Sequence, residues 1–399
     1  MSATTILHLT DLHFGMGSTP KDLAERKVAL DGLFTALMGL PAAWKPEIVC
    51  LSGDIGWRGA ATDYAEAKEW LKSLLTCLKL TANDLFLCPG NHDIDRKLAT
   101  RHARPADAVV ADQCLQTPVS QCPTAGAFAA YSAFCKDFKV HPYAIEKEKS
   151  FLVGVAEHKG IRFVGCNSAW YCQGDDDQKK LWVGLPFLRA LDAGGQLPPT
   201  ANAETVPTVC LIHHPPDWWH DGETHAGTGR PNTQDYLAYR CHIILSGHTH
   251  DNVRQADRIA QSAYHFTGGA AFAGASHFNS FRLIRIADDE LIYRSFEFDP
   301  RSADCVWQDR GEKTLQFGNR PSAKSGKRSK KAANSKESNG LPPSLADAIA
   351  TYKRKIDIAW RGGVGPDGKP LIGADGKPLG TWVEMETHKD FKDASERPA

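Results

Sequence analysis

The chain has 399 residues, 47 basic and 47 acidic side chains, 42% hydrophobic and 24% charged content. Such a length exceeds one ordinary domain and buries a sizeable core unaided, while the balanced charge argues against a surface coated for nucleic acid throughout. No apolar run approaches the ~20 residues of a membrane helix, so no membrane partner is expected.

From the N-terminus, Met1–Thr5 leads directly into Ile6–Thr10 with no basic region, long apolar stretch or cleavage site. The chain is therefore expected in the cytoplasm. Eleven cysteines, an odd number, sit in strand-like contexts such as Cys50 and Cys210, and read as reduced core thiols rather than a disulfide framework.

The first ninety residues alternate. Ile6–Thr10, Glu47–Leu51 and Asp84–Cys88 are short β-branched or apolar runs; between them, Lys21–Leu40 and Tyr64–Leu80 carry apolar residues at helical spacing. Strand, helix, strand, helix, strand predicts parallel βαβ units, whose ligands gather beyond the carboxyl ends of the strands. Residues 95–150 read as helical and irregular. From Phe151 the period changes: seven strand-like runs, from Phe151–Ala156 to Leu291–Phe298, follow with few helices between them. They predict a second, more antiparallel sheet packed on the first.

After Phe317 the composition shifts. Asn319–Gly340 holds seven Lys or Arg against one Glu and almost nothing apolar, which predicts a flexible linker. Beyond it, Leu345, Ile349, Tyr352, Ile356 and Trp360 describe an amphipathic helix over Ser344–Trp360, with Ser344 as N-cap. Asp367–Leu371 recurs as Asp375–Leu379, predicting two turns of a small meander. The expected organisation is a domain over 1–318, a basic linker over 319–342, and a helix-plus-turn appendage over 343–399. The appendage's apolar stripe would need a protein partner, a second copy or the main domain to cover it. The linker's cations make nucleic acid conceivable, but no aromatics interleave with them, so a soluble spacer is the preferred reading.

Five short motifs each follow a predicted strand: Asp11-Leu-His13, Gly53-Asp54, Gly90-Asn-His-Asp93, His213-His214 and Gly247-His-Thr-His250. If the strands align, all five loops meet at one sheet edge. A mixture of carboxylate, carboxamide and imidazole suits two divalent ions, which ~3.5–4 Å apart clamp an in-line displacement at phosphorus.

The order and spelling of these motifs, over roughly residues 5–300, resemble the calcineurin-like metallophosphoesterase superfamily. Pro89–Asp93 and His213–Pro216 are most similar to its class III cyclic-nucleotide phosphodiesterase branch. The resemblance implies an α/β fold, a four-layer αββα sandwich of two mixed β-sheets flanked by helices, here with a C-terminal appendage. It implies one ion (Mn, Fe or Zn) held by Asp11, His13, Asp54 and His250, and a second by Asp54, Asn91, His213 and His248. A metal-bridging hydroxide would attack a phosphodiester, most plausibly a cyclic or other small nucleotide. His92 would act beside the phosphate with Asp93, and Asn91, His92 and Trp218 would contact substrate. One departure stands out. Many relatives carry an acidic residue three positions after the bridging aspartate to orient the catalytic histidine; here it is Trp57, leaving Asp93 or a backbone carbonyl to take that part. Of the remaining residues, His8 and His214 read as packed histidines, while Asn167 and Trp219 lie near the expected site. The competing functions are a metal-dependent nuclease and a scaffold that retains the fold without catalysis.

Overall fold

The computed structural model describes residues 3–316 apart from residue 18 and stretches 116–123, 141–142, 146–147, 151, 202–205, 228, 251–255, 261–262, 275–278, 288–289 and 300–305, with 143–145 and 148–150 by backbone alone, plus the backbone of 357–362 and 380–385. The chain divides into two units, Met1–Gly326 and Lys327–Ala399.

In the first unit the strands are β1 (Thr4–Leu9), β2 (Ile48–Ser52), β3 (Leu85–Cys88), β4 (Tyr143–Ile145), β5 (Glu148–Ser150), β6 (Gly154–His158) and β7 (Ile161–Gly165). They continue as β8 (Thr208–Leu211), β9 (Ile243–Ser246), β10 (Asp257–Arg258), β11 (Tyr264–Thr267), β12 (Asn279–Ile286), β13 (Glu290–Phe298) and β14 (Gln308–Gln316). The helices are α1 (Pro20–Met38), α2 (Ala61–Leu78), α3 (Arg96–Ala99), α4 (Ala108–Cys114), α5 (Ala129–Phe138), α6 (Leu185–Ala193), α7 (Asp221–Thr224) and α8 (Thr233–Arg240). Two mixed six-stranded sheets result, ordered β14-β13-β12-β1-β2-β3 and β10-β11-β9-β8-β7-β6.

Alternation along each strand builds the layers. Ile6, Ile48, Cys50 and Phe86 from the first sheet share one buried cluster with Phe163, Val209, Leu211, Ile243 and Leu245 from the second, so the two sheets pack face to face. The opposite-facing positions Leu7, Leu9, Val49, Leu51, Cys210 and Ile244 share a second cluster with Leu30, Leu33 and Leu37 of α1, Leu71 and Leu74 of α2, Leu188 of α6 and Leu237 of α8. Helix α1 starts where its sequence stops it cheaply: Thr19 and Asp22 cap each other's backbone N–H at 3.2 Å, with Pro20 in the first turn. The predicted sandwich of helix, sheet, sheet and helix is what the chain adopts.

One feature differs from the sequence reading. The second sheet is parallel at its centre, through β7-β8, β8-β9 and β9-β11, with antiparallel β6 and β10 at its edges. Its crossovers run through α6 and α8, which at nine and eight residues are too short for their periodicity to stand out. The antiparallel strands β12, β13 and β14 return to the first sheet beside β1.

The nine cysteines among the described residues are free thiols, seven of them buried. No helix among the described residues is long and apolar enough to cross a membrane. In the second unit β15 (Asp357–Gly362) and β16 (Gly380–Met385) form an antiparallel ribbon. The predicted helix over Ser344–Trp360 thus ends in strand; its earlier part, the basic linker and the Asp-Gly turns lie outside the described residues.

Candidate metal centre

Strands β1, β2, β3, β8 and β9 release five loops at their carboxyl ends, and those loops are laced together. Asp11 N–H donates to the Gly53 carbonyl (3.1 Å), His13 N–H to the Asp54 carbonyl (3.0 Å), and Gly247 N–H to the His213 carbonyl (2.9 Å). The Asp11 carboxylate accepts from Thr10 Oγ1 (2.6 Å) and from His248 N–H (3.1 Å), bridging the two sheets. Gly90 has no room for a side chain, because a Cβ there would strike the Asp54 carboxylate.

The backbone at these loops is strained. Among the described residues nine non-glycines have positive φ, and five are motif residues: Asp11 (54°), His13 (49°), Asp54 (54°), His248 (76°) and His250 (54°). L-residues adopt that region at a cost, and such costs concentrate where function needs a particular side-chain direction.

All seven candidate ligands, these five with Asn91 and His213, come together at the joined loops. Asp11 Oδ1 lies 3.2 Å from His250 Nε2 and 3.8 Å from His13 Nε2. Asp54 Oδ2 is 3.4 Å from His13 Nε2 and 3.2 Å from His213 Nε2. Asn91 Oδ1 sits 3.1 Å from His213 Nε2 and 2.9 Å from His248 Nδ1. Asp11–His13–His250 and Asp11–Asp54–His213 each hold their ligand atoms within 4.8 Å of one another, as do His13–Asp54–His92 and His213–His214–His248.

Tautomers favour coordination. His13 Nδ1–H donates to the Phe272 carbonyl at 3.1 Å, and His213 Nδ1–H to the Ser52 carbonyl at 2.7 Å. Each therefore turns a lone pair on Nε2 toward the carboxylates. His13 Nε2, Asp54 Oδ2 and His248 Nε2 are buried without a hydrogen-bond partner, a state that costs free energy unless something electrophilic satisfies them. Two fully buried carboxylates make the cage strongly negative. Burial alone would depress His213 and raise Asp54 and Asp11; instead the carboxylates lift His213 to about 9, and the histidines hold both aspartates well below the ordinary range. A pair of divalent cations fits this donor set.

His92 stands at the rim. Its backbone N–H donates to Asp54 Oδ1 (2.8 Å), its Nδ1–H to the Trp57 carbonyl (2.8 Å). The Trp57 indole stacks on the imidazole at 4.1 Å and 11°. Burial lowers the His92 pKa, against the pull of Asp54. The Trp57 carbonyl and ring together hold the His92 imidazole in place.

Asp93 does not orient His92 and does not face the cage. Fully buried, its carboxylate accepts from the N–H groups of Ile55 (3.2 Å), Gly56 (2.9 Å) and Gly90 (3.0 Å) and from the Tyr64 hydroxyl (3.0 Å). It is the tie between the Asp54 and His92 loops, and burial beside Asp54 pushes it up to about 6.

Trp218 stands edge-on to His248 at 3.9 Å and lines a cavity of about 170 Å³ over Asp54, Asn91, His92 and His250. Trp219 is buried, its indole N–H donating to the His214 carbonyl at 2.8 Å. His214 is packed between Ser168 Oγ (2.8 Å) and Cys172 Sγ (3.8 Å), though close to His213 and His248. His8 bonds Ser52 Oγ at 2.8 Å in the core, and Asn167 caps Ala169 N–H at 2.7 Å. Arg96, at the start of α3, and Asp175 and Asp177, from the loop after β7, also line the small cavity; no motif marked them, because no local pattern dictates that they reach it.

A family model described as calcineurin-like phosphoesterase matches residues 4–252. No curated protein matches. Similar solved structures include a dimetal phosphatase from Danio rerio (14% identity, TM-score 0.39, covering 79% of this chain and 99% of that one). Others are a Vps29 from Entamoeba histolytica complexed with zinc (12%, TM-score 0.32, 79% and 100%) and a protein from Streptococcus pneumoniae described as a predicted phosphoesterase (11%, TM-score 0.31, 79% and 99%). These likenesses are distant.

Proposed function

Because the chain belongs to the calcineurin-like phosphoesterase family, we propose that it is a dinuclear metal-dependent hydrolase of small phosphodiesters, a cyclic or other small nucleotide being the foremost candidate. One observation carries this: His13 Nε2 and Asp54 Oδ2, both buried without a hydrogen-bond partner, lie 3.4 Å apart, and His213 Nε2 lies 3.2 Å from the same carboxylate oxygen. Asp11, His13, Asp54 and His250 would hold one ion, and Asp54, Asn91, His213 and His248 the other, with Asp54 shared. Bound there, the ions supply Lewis acidity and a water made acidic enough to attack at neutral pH.

The chain's own residues do the rest. The Ser52 and Phe272 carbonyls keep His213 and His13 in the metal-binding tautomer. Asn91 carries no charge, so its oxygen completes the second group without adding to the crowded negative field. His92 has committed Nδ1–H to Trp57, leaving Nε2 to take up a proton and return it to the departing oxygen. Asp54, whose Oδ1 accepts the His92 N–H, stabilises the imidazolium formed on the way. A cavity of about 170 Å³ over the ligands suits a single phosphoryl group with short arms.

Initial rates with manganese on a panel test this: a chromogenic phosphomonoester, its diester, 3′,5′- and 2′,3′-cyclic nucleotides, and single-stranded DNA. Faster turnover of diesters than of the monoester, with a cyclic nucleotide leading, is expected. DNA cleavage with little action on small diesters would establish a nuclease instead.

A further inference from the structure

The small cavity over the ligands is not closed. His92 and Arg96 line it and also line a larger neighbour of about 570 Å³, walled by Trp57, Arg58, Ala60, Thr62, Ile94 and Lys97. The smaller space, about 170 Å³, matches a phosphoryl group with short arms rather than a whole diester of nucleotide size. A phosphate seated over Asp54, Asn91 and His250 has the larger cavity open to one of its arms past His92. His92 is also the residue positioned to protonate the departing oxygen, so the arm that passes it is the leaving group.

The larger cavity is chemically one-sided. Its lining carries three cations, Arg58, Arg96 and Lys97, against one carboxylate, Asp95. Asp95 is turned to the backbone, accepting from Lys97 N–H at 2.9 Å and Leu98 N–H at 3.3 Å. Arg58 is paired with Asp63 at 3.1 Å. Among the described residues Arg96 pairs with Asp175 alone, at 3.4 Å, and that side chain is fully exposed, a pairing worth little in water. Lys97 makes no ion pair among the described residues. Two cations are thus left facing a cavity next to the reacting centre, and the Trp57 ring that stacks on His92 forms its wall.

We propose that this cavity is a leaving-group subsite, and that the natural substrate's leaving group bears its own oxyanion, a carboxylate or second phosphate, received by Arg96 and Lys97. This rests on the phosphodiesterase reading above and narrows it to acyclic diesters, because the leaving oxygen of a cyclic nucleotide stays on the product and carries no further oxyanion. Water would add to phosphorus as the P–O bond to the leaving group breaks, and the charged alcohol would depart with the proton from His92.

Three synthetic diesters of methyl phosphate test it: the esters of 4-nitrophenol, 3-carboxy-4-nitrophenol and 3-phosphonooxy-4-nitrophenol. With manganese-loaded protein, at least one charged ester is expected to exceed the neutral one about tenfold in kcat/KM, through a lower KM, the size of one charge-assisted contact. Whichever charged ester leads identifies the oxyanion. In Lys97→Glu and in the Arg96→Ala/Lys97→Ala double variant, that ratio is expected to fall to about one or below, with manganese content retained. Titration of the metal-free protein with 5-hydroxy-2-nitrobenzoate provides a readout free of turnover, and weaker binding to Lys97→Glu is expected. Equal rates for all three esters, or a preference that survives both variants, overturns the subsite. Failure to turn over any of them overturns the phosphodiesterase reading instead.

Discussion

At the scale of single residues, Trp57 is the most informative side chain in the site. An acid that orients a catalytic histidine does so by accepting its Nδ1–H and holding the ring. Here the Trp57 carbonyl accepts that proton at 2.8 Å, and the indole holds the ring by stacking at 4.1 Å. The carbonyl survives any substitution, so mutation isolates the stacking. Trp57→Ala is expected to lower kcat roughly tenfold or more while KM changes little, as befits loss of a positioned proton-transfer group. Trp57→Phe is expected to restore most of it, because a smaller ring still stacks. A rise in KM alone would assign Trp57 to substrate binding. The convergence of the candidate ligands was legible in the sequence because each lies two to four residues beyond a strand, where the parallel topology must bring it to the sheet edge. Asp93 was not: its motif neighbours His92, but its carboxylate serves three backbone N–H groups that no pattern announces.

At the scale of elements, the floor of the site is a pair of matched contacts. His8 on β1 bonds Ser52 at the end of β2, and His265 on β11 bonds Ser246 at the end of β9, at 2.8 and 2.7 Å. Both histidines are buried, and burial together with the Arg282 cation lowers them from 6.5, to about 3 for His8 and about 4 for His265. The unfolded chain therefore binds two protons near pH 6.5 that the folded chain refuses. Stability from these groups is complete above that pH and is lost as pH falls through it, by about 1.4 kcal/mol per pH unit for each histidine. Urea midpoints measured between pH 7 and 5 in a chelator are expected to fall, and His265→Gln is expected to flatten the slope. An unchanged slope would mean His265 is protonated in the folded state. Element types were read correctly where apolar runs were strong, as in β1, β2, β11 and α1. The short crossovers α6 and α8 escaped, and so did β14, whose sequence QDRGEKTLQ is almost wholly exposed and shows no alternation.

At the scale of the whole first unit, two mixed sheets stack so that the carboxyl ends of β1, β2 and β3 meet those of β8 and β9. Neither sheet alone carries the site: Asp11, His13, Asp54 and Asn91 come from one, His213, His248 and His250 from the other. This convergence was legible from motif order and βαβ alternation. The partition of the later strands was not, because local pattern does not say that β12, β13 and β14 return to β1. The same convergence would tie metal binding to folding, since ions held by both sheets would stabilise the sandwich.

The central claim is that Asp54 is shared by two ions on which hydrolysis depends. It is tested most directly by bound metal and diester turnover in the native chain and in Asp54→Ala, each purified with manganese. Close to two ions per chain and turnover of bis(4-nitrophenyl) phosphate are expected for the native protein, with both lost together in the variant and its fold retained. Full manganese occupancy in Asp54→Ala, or undiminished turnover by a metal-free chain, would contradict it.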